Sequence, residues 1–186
     1  TMHCQVSAEG QALNAHASGR EGYVESRYSA TLPAGQSVHV LKYVGVVNSL
    51  NAAPEQVVAR AEEQAQQAAA KGYEVLRNAH ADAWIAKWEL ADIRIDGDDS
   101  AQQGIRFNIF HLLQTFTGVD ARLNIGPKGF TGEKYGGSTY WDTEAYCLPF
   151  YMASTDQSVA KNLLIYRYKQ LGKAIENAEK LGFTDG

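Results

Sequence analysis

The hydrophobic pattern divides the chain near residue 50. Before that point, short runs rich in Val and Tyr stand between polar stretches: His3-Cys4-Gln5-Val6, residues 23–28 (YVESRY) and residues 37–44 (SVHVLKYV). Such runs predict β-strands, because β-branched and aromatic side chains pack well on a pleated, half-buried surface. Leu32-Pro33-Ala34-Gly35-Gln36 is turn chemistry, with Pro fixing φ and Gly free to take φ > 0. Hairpins of this length need a second sheet to bury their inner face, and 50 residues hardly supply one.

From Pro54 the spacing becomes helical. Pro54 suits a first helical position, and Glu55 lies where the helix dipole favours an acid. Val57, Val58, Ala61, Ala65, Ala68 and Ala69 then make a narrow face of small residues that ends at Lys71-Gly72. A second helix is predicted over 73–90, with Leu76, Trp84 and Trp88 as apolar positions and packing as the expected role of both tryptophans. After a brief extended piece at 93–97, a third helix over 99–117 sets Ile105, Ile109, Leu112, Leu113 and Phe116 on one face, capped by Asp99 or Ser100. A long glycine-rich loop runs to Tyr140. A short helix over 142–152 and a long one over 156–181 follow, the latter with Val159, Leu163, Leu164, Tyr168 and Leu171 at helical spacing. Tyr151, Tyr166 and Tyr168 are expected to pack with satisfied hydroxyls. Arg106 and Arg167, beside aromatic and acidic neighbours, are expected to form ion pairs. Helices with a long loop between them suit an α/α barrel, whose active site is built by loops at one end.

Composition narrows the function. With 186 residues, 45% of them hydrophobic, the chain can build one or two real cores. A net charge of −4 without a basic stripe argues against nucleic acid, although a local cationic pocket for phosphate stays compatible with it. Cys4 and Cys147 form neither a disulfide framework nor a zinc spacing, which suits a reducing compartment. His3, His16, His39, His80 and His111 show no paired-ligand spacing, and no apolar run approaches a membrane span.

The chemistry concentrates between Gly129 and Pro149, GFTGEKYGGSTYWDTEAYCLP. Its glycines do not make a nucleotide loop, because Gly132 is followed by Glu133 and Lys134 rather than by Lys and a hydroxyl residue. A flat aromatic beside an acceptor-only carboxylate, Trp141-Asp142, is what a sugar pocket needs: the ring covers a pyranose C–H face and the carboxylate accepts from vicinal hydroxyls. The same pair also reads as a core tryptophan and a helix N-cap. Asp142 and Glu144 are two residues apart on a helix, so they do not face each other across a bond.

These residues carry a resemblance. Tyr135-Gly136-Gly137 with residues 140–146 (YWDTEAY) resembles the early active-site loop of glycoside hydrolase family 65, the disaccharide phosphorylases. Trp88-Glu89, Asp92-Ile93 and residues 102–110 (QQGIRFNIF) are similar to its first barrel helix and the segment before it. Residues 160–168 (AKNLLIYRY) and Glu176-Asn177-Ala178 are similar to its next long helix. Ser138 stands where many members carry His. The resemblance implies a mixed fold: the C-terminal part of a β-sandwich over 1–50, a helical linker over 51–92, and the first helices of an (α/α)6 barrel over 93–186, together an internal piece of a larger enzyme. The implied activity is inverting phosphorolysis of maltose by inorganic phosphate, without metal or organic cofactor. Trehalose, kojibiose or nigerose is the alternative substrate, a hydrolase such as acid trehalase the alternative chemistry, and a non-catalytic sugar-binding module the alternative class. In the family, the residues matching Trp141 and Asp142 line the subsite of the non-reducing glucose. Tyr135, Gly136, Gly137 and Glu144 become candidates for the substrate loop. The family's acid and phosphate-binding residues lie on later loops, so no catalytic residue is assigned in this chain. A cytoplasmic homodimer, without nucleic-acid or membrane partner, is the expected assembly.

Overall fold

The computed structural model describes residues 1–127, 129 and 138–184. They form two compact units, Thr1–Ala81 and Asp82–Gly186. In the first, β1 (Met2–Ala8) lies between β2 (Gln11–Ala12) and β5 (Val38–Val44) in an antiparallel sheet, while β3 (His16–Arg20) and β4 (Tyr23–Arg27) pair as a separate hairpin. The register sets Met2 opposite Val44 and Ala8 opposite Val38. One sheet face therefore carries Met2, Cys4, Val6, Val38, Val40 and Val44, and the other His3, Gln5, Leu41 and Tyr43.

Helix α1 (Val57–Lys71), entered through a 3₁₀ turn at Pro54–Gln56, packs on β1 and β5. Its contact residues are small for a reason. A Cβ added at Gly45 would stand 1.9 Å from the Ala61 carbonyl oxygen, so strand end and helix backbone touch. Ala61 and Ala65 are buried there, whereas Val58 is 65% exposed and falls outside the expected face. Two strands were not legible. β2 has two residues, and β3 (HASGR) lacks β-branched and aromatic side chains. What fixes β3 is its partner: Ser18 Oγ, Tyr23 OH and Arg27 Nη2 all donate to the Glu25 carboxylate, at 2.9, 3.0 and 3.1 Å.

Helix α2 (Tyr73–Ala91) runs from the first unit into the second, which continues with α3 (Asp99–Thr115), α4 (Leu148–Ser154), α5 (Gln157–Lys169) and α6 (Leu171–Lys180). Ala91, Ile109 and Leu113 make one core, with Trp84, Trp88 and Ile105 against it. Trp84 stacks on Phe110 at 5.0 Å, which gives the tryptophans of α2 the packing role expected of them. The extended piece after α2 is held by Gln102, whose side chain donates to Ile93 O at 2.9 Å and accepts from Ile95 N at 2.7 Å. Arg106 makes a bidentate pair with Asp92, at 2.8 and 2.6 Å. A second core joins Phe116, Ile125, Tyr151, Ala160 and Leu163, and Tyr151 donates its hydroxyl to Leu112 O at 2.7 Å.

Three expectations need correction. Asp98, not Asp99 or Ser100, caps α3, its Oδ1 accepting from Ala101 N at 2.9 Å. The long helix over 156–181 is two helices, because Gln170 leaves helical geometry at ψ 1° and shares its N–H between the Tyr166 and Arg167 carbonyls. Tyr168 does not pack; it is 78% exposed.

Candidate functional site

Residues 139–144 (TYWDTE) form a short strap over the second core, fixed at both ends and open in the middle. At one end Thr143, itself buried, donates its hydroxyl to Ile125 O at 3.2 Å. From α5, the Arg167 guanidinium reaches the rest. Nε and Nη2 grip the Glu144 carboxylate at 2.9 and 2.8 Å, Nη1 donates to Thr139 Oγ1 at 3.0 Å, and Nη2 to Tyr140 O at 2.9 Å. Within the strap, Thr143 N meets Tyr140 O at 3.4 Å and Ala145 N meets Trp141 O at 3.1 Å. The side chains of Thr139, Thr143 and Glu144 are thus held in these bonds, and Tyr140 is held by its carbonyl while the residue stays 44% exposed.

Trp141 and Asp142 are what the strap presents. Trp141 is 68% exposed, which removes the reading of it as a core residue. Its ring lies 6.0 Å from that of Tyr146, also exposed, so two aromatic rings stand open to solvent close to Asp142 in the chain. Asp142 is exposed and makes no capping bond; with φ −54° and ψ −33° it is already helical. The N-cap expected of Asp142 is therefore absent, and among the described residues no donor occupies its two acceptor oxygens.

The cause is local. Residues Thr143–Cys147 form a π-helical turn that runs into α4, with Leu148 N bonded to Thr143 O. Pro149 has no N–H to offer the Ala145 carbonyl, and in a regular α-helix its ring would press on that carbonyl. Widening to a π-turn relieves the clash, and such turns concentrate at functional sites. Burial pushes the thiol pKa of Cys147, within the turn, upward, and the carboxylates of Asp142 and Glu144 add to the shift, which disfavours its thiolate.

Of the residues singled out from sequence, the structure brings Trp141, Asp142 and Glu144 together, with Glu144 turned to Arg167 rather than to solvent. Tyr135, Gly136 and Gly137 lie outside the described residues. The Arg167 ion pair was legible as a tendency of that residue, but its partner, 23 positions upstream, was not. Thr143 gave no signal, since a single threonine does not disclose a carbonyl brought to it by the fold.

The chain has recognisable relatives among known proteins. Residues 1–87 match the N-terminal domain of glycosyl hydrolase family 65, and residues 106–186 its central catalytic domain. The chain is 51% identical over 162 residues to maltose phosphorylase of Bacillus subtilis (strain 168), covering 87% of this chain and 21% of that protein. It is 38% identical over 148 residues to the alpha,alpha-trehalose phosphorylase of Thermoanaerobacter brockii, covering 80% of this chain and 19% of that one. Among solved structures, one from human microbiome provisionally assigned as a kojibiose phosphorylase superposes with a TM-score of 0.68 at 29% identity, over 97% of this chain and 24% of its own. The chain thus spans about a fifth of the length of these relatives.

Proposed function

Because the chain belongs to glycosyl hydrolase family 65, we propose that it forms part of an inverting disaccharide phosphorylase that converts maltose and phosphate to β-glucose 1-phosphate and glucose. An acid protonates the leaving oxygen while phosphate attacks the anomeric carbon from the opposite face, in the place water holds in an inverting hydrolase. The acid and the phosphate site belong to parts of the enzyme beyond these residues. This chain's contribution is to hold the non-reducing glucosyl unit, its C–H face on Trp141 and two hydroxyls donating to Asp142. The family's sandwich, linker and barrel are the proposed frame, with divisions near residues 50 and 92.

The observation that carries the reading is the Asp142 carboxylate, without a hydrogen-bond partner among the described residues, beside an open Trp141 on a strap held by Thr143 and by Arg167. Asp142→Asn in the full-length protein tests it. Asparagine keeps the shape and loses the ionised acceptor, and hydrogen bonds to charged groups contribute about 1.5–3 kcal/mol. At about 1.4 kcal/mol per factor of ten, kcat/KM for maltose is expected to fall about ten- to a hundred-fold. With no cap to lose, melting stays as in the parent. A kcat/KM within about two-fold of the parent would make Asp142 a bystander.

The openness of Trp141 also favours a second reading, a non-catalytic sugar-binding module. Product analysis of the full-length protein separates the classes. Glucose 1-phosphate formed only with phosphate present marks the phosphorylase, phosphate-independent glucose a hydrolase, and binding without turnover the module. Parallel assays with trehalose, kojibiose and nigerose fix the substrate.

A further inference from the structure

We propose that Arg167 is a positioning residue for sugar binding, holding the strap in the geometry that presents Trp141 and Asp142. This inference rests on the reading of those two residues as sugar contacts. Arg167 sits in the last turn of α5, where a cation is favoured by the helix dipole alone. That does not explain where its donors go. All four of its hydrogen bonds reach the strap, to Thr139, Tyr140 and both oxygens of Glu144, on either side of Trp141-Asp142. A planar fork of fixed donors sets orientation as well as distance, which a lysine ammonium on a flexible stem cannot do.

The fold has other means of holding this region. Thr143 is tied separately to Ile125 O, and Tyr151 and Leu163 fill the core beneath α4 and α5. Arg167 and Glu144 are 34% and 24% exposed, and neither contributes to that apolar core. Loss of the clamp therefore leaves the helices packed and frees the turn between residues 139 and 144. Glu144, two positions from Asp142, transmits the constraint; it is a holder of the strap and not a reacting group.

The test uses the full-length protein with Arg167→Lys, Asp142→Asn and the double variant, read by calorimetric maltose affinity, by KM for maltose and for phosphate, and by melting. Misplacement of a binding group by about an ångström can cost on the order of a hundred-fold. Arg167→Lys is accordingly expected to weaken maltose binding and raise its KM about ten- to a hundred-fold, leaving KM for phosphate within about two-fold. On the Asp142→Asn background it is expected to add little, because both changes disable one contact. Maltose affinity within about two-fold of the parent, full additivity with Asp142→Asn, or an equal rise in KM for phosphate would each overturn the proposal. So would a lowered melting temperature with unchanged affinity, the pattern of a purely structural pair. If Arg167→Lys does not fold, Glu144→Gln and Thr139→Val are judged by the same criteria. A parent that binds maltose without forming glucose 1-phosphate sinks phosphorolysis alone, and the affinity series still decides the role of Arg167. A parent that binds none of maltose, trehalose, kojibiose and nigerose overturns both.

Discussion

Gly118 lies where the chain leaving α3 presses against α5. Its φ is +70°, and a Cβ added there would stand 2.6 Å from the Val159 Cα, while its carbonyl accepts from Asn162 Nδ2 at 2.6 Å. Gly118→Ala combines left-handed strain with overpacking against backbone, and is expected to destabilise by about 1–3 kcal/mol, checked by urea unfolding. Gly104, inside α3 with nothing within 4 Å of an added Cβ, is the control: Gly104→Ala is expected to stabilise by about 0.5–1 kcal/mol. At this scale the sequence spoke unevenly. Trp141 and Asp142 stood out as a ring beside a carboxylate, a combination visible in one dimension that read equally as a core residue and a helix cap. The missing cap of Asp142 was not legible, because the helical turn begins one position earlier, with Ala145 N on Trp141 O, where no helix-starting residue type marks it.

Helices declared their existence through spacing and their ends through caps, with errors of a residue where two acids compete. Asp98, Asp99 and Ser100 all qualify as the start of α3, and only backbone geometry selects Asp98, with φ −141° and its side chain on Ala101 N. Asp98→Ala is expected to cost about 1 kcal/mol in thermal unfolding, with Asp99→Ala costing less than half of that. A larger loss at Asp99 would move the cap back to where the sequence alone put it. The break between α5 and α6 had no comparable signal. No Pro or helix-ending Gly stands at Gln170, and Gly172 falls inside α6. Apolar periodicity continues across the break, but Leu163 is buried while Leu171 and Ile175 are exposed, so one pattern spans two different environments.

Across the molecule, several carboxylates are held below their ordinary range by nearby donors: Asp92 by Arg106, Asp156 by Ser158, Glu176 by Lys180, and Asp120 by Arg122, this last near a pKa of about 2. The unfolded chain binds protons more readily at these sites, so the native state gains from them above the ordinary carboxylate values and loses that gain as pH falls toward 2. Melting temperature is expected to drop between about pH 4 and 2, and the contribution of these groups to be flat from 5 to 8. Assayed by itself, the 186-residue chain is expected to release no glucose 1-phosphate from maltose and phosphate; detectable release would place the acid within it. Fold class was legible here because strands and helices occupy separate stretches of the chain, while the sheet face on which Met2, Val40 and Val44 are more than half exposed gave only a need and no answer. The exposure of Trp141 has an optical consequence. Of the three tryptophans, Trp84 and Trp88 lie against the α3 core and only Trp141 stands in solvent. Its indole emission supplies the red, readily quenched part of the intrinsic fluorescence. On the proposed contact a pyranose seated on the ring would dry one face, so saturation with sugar is expected to shift that emission to the blue and shield it from acrylamide. The protein would then carry its own titration signal, and Trp141→Phe is expected to remove that signal while leaving the emission of the other two indoles in place.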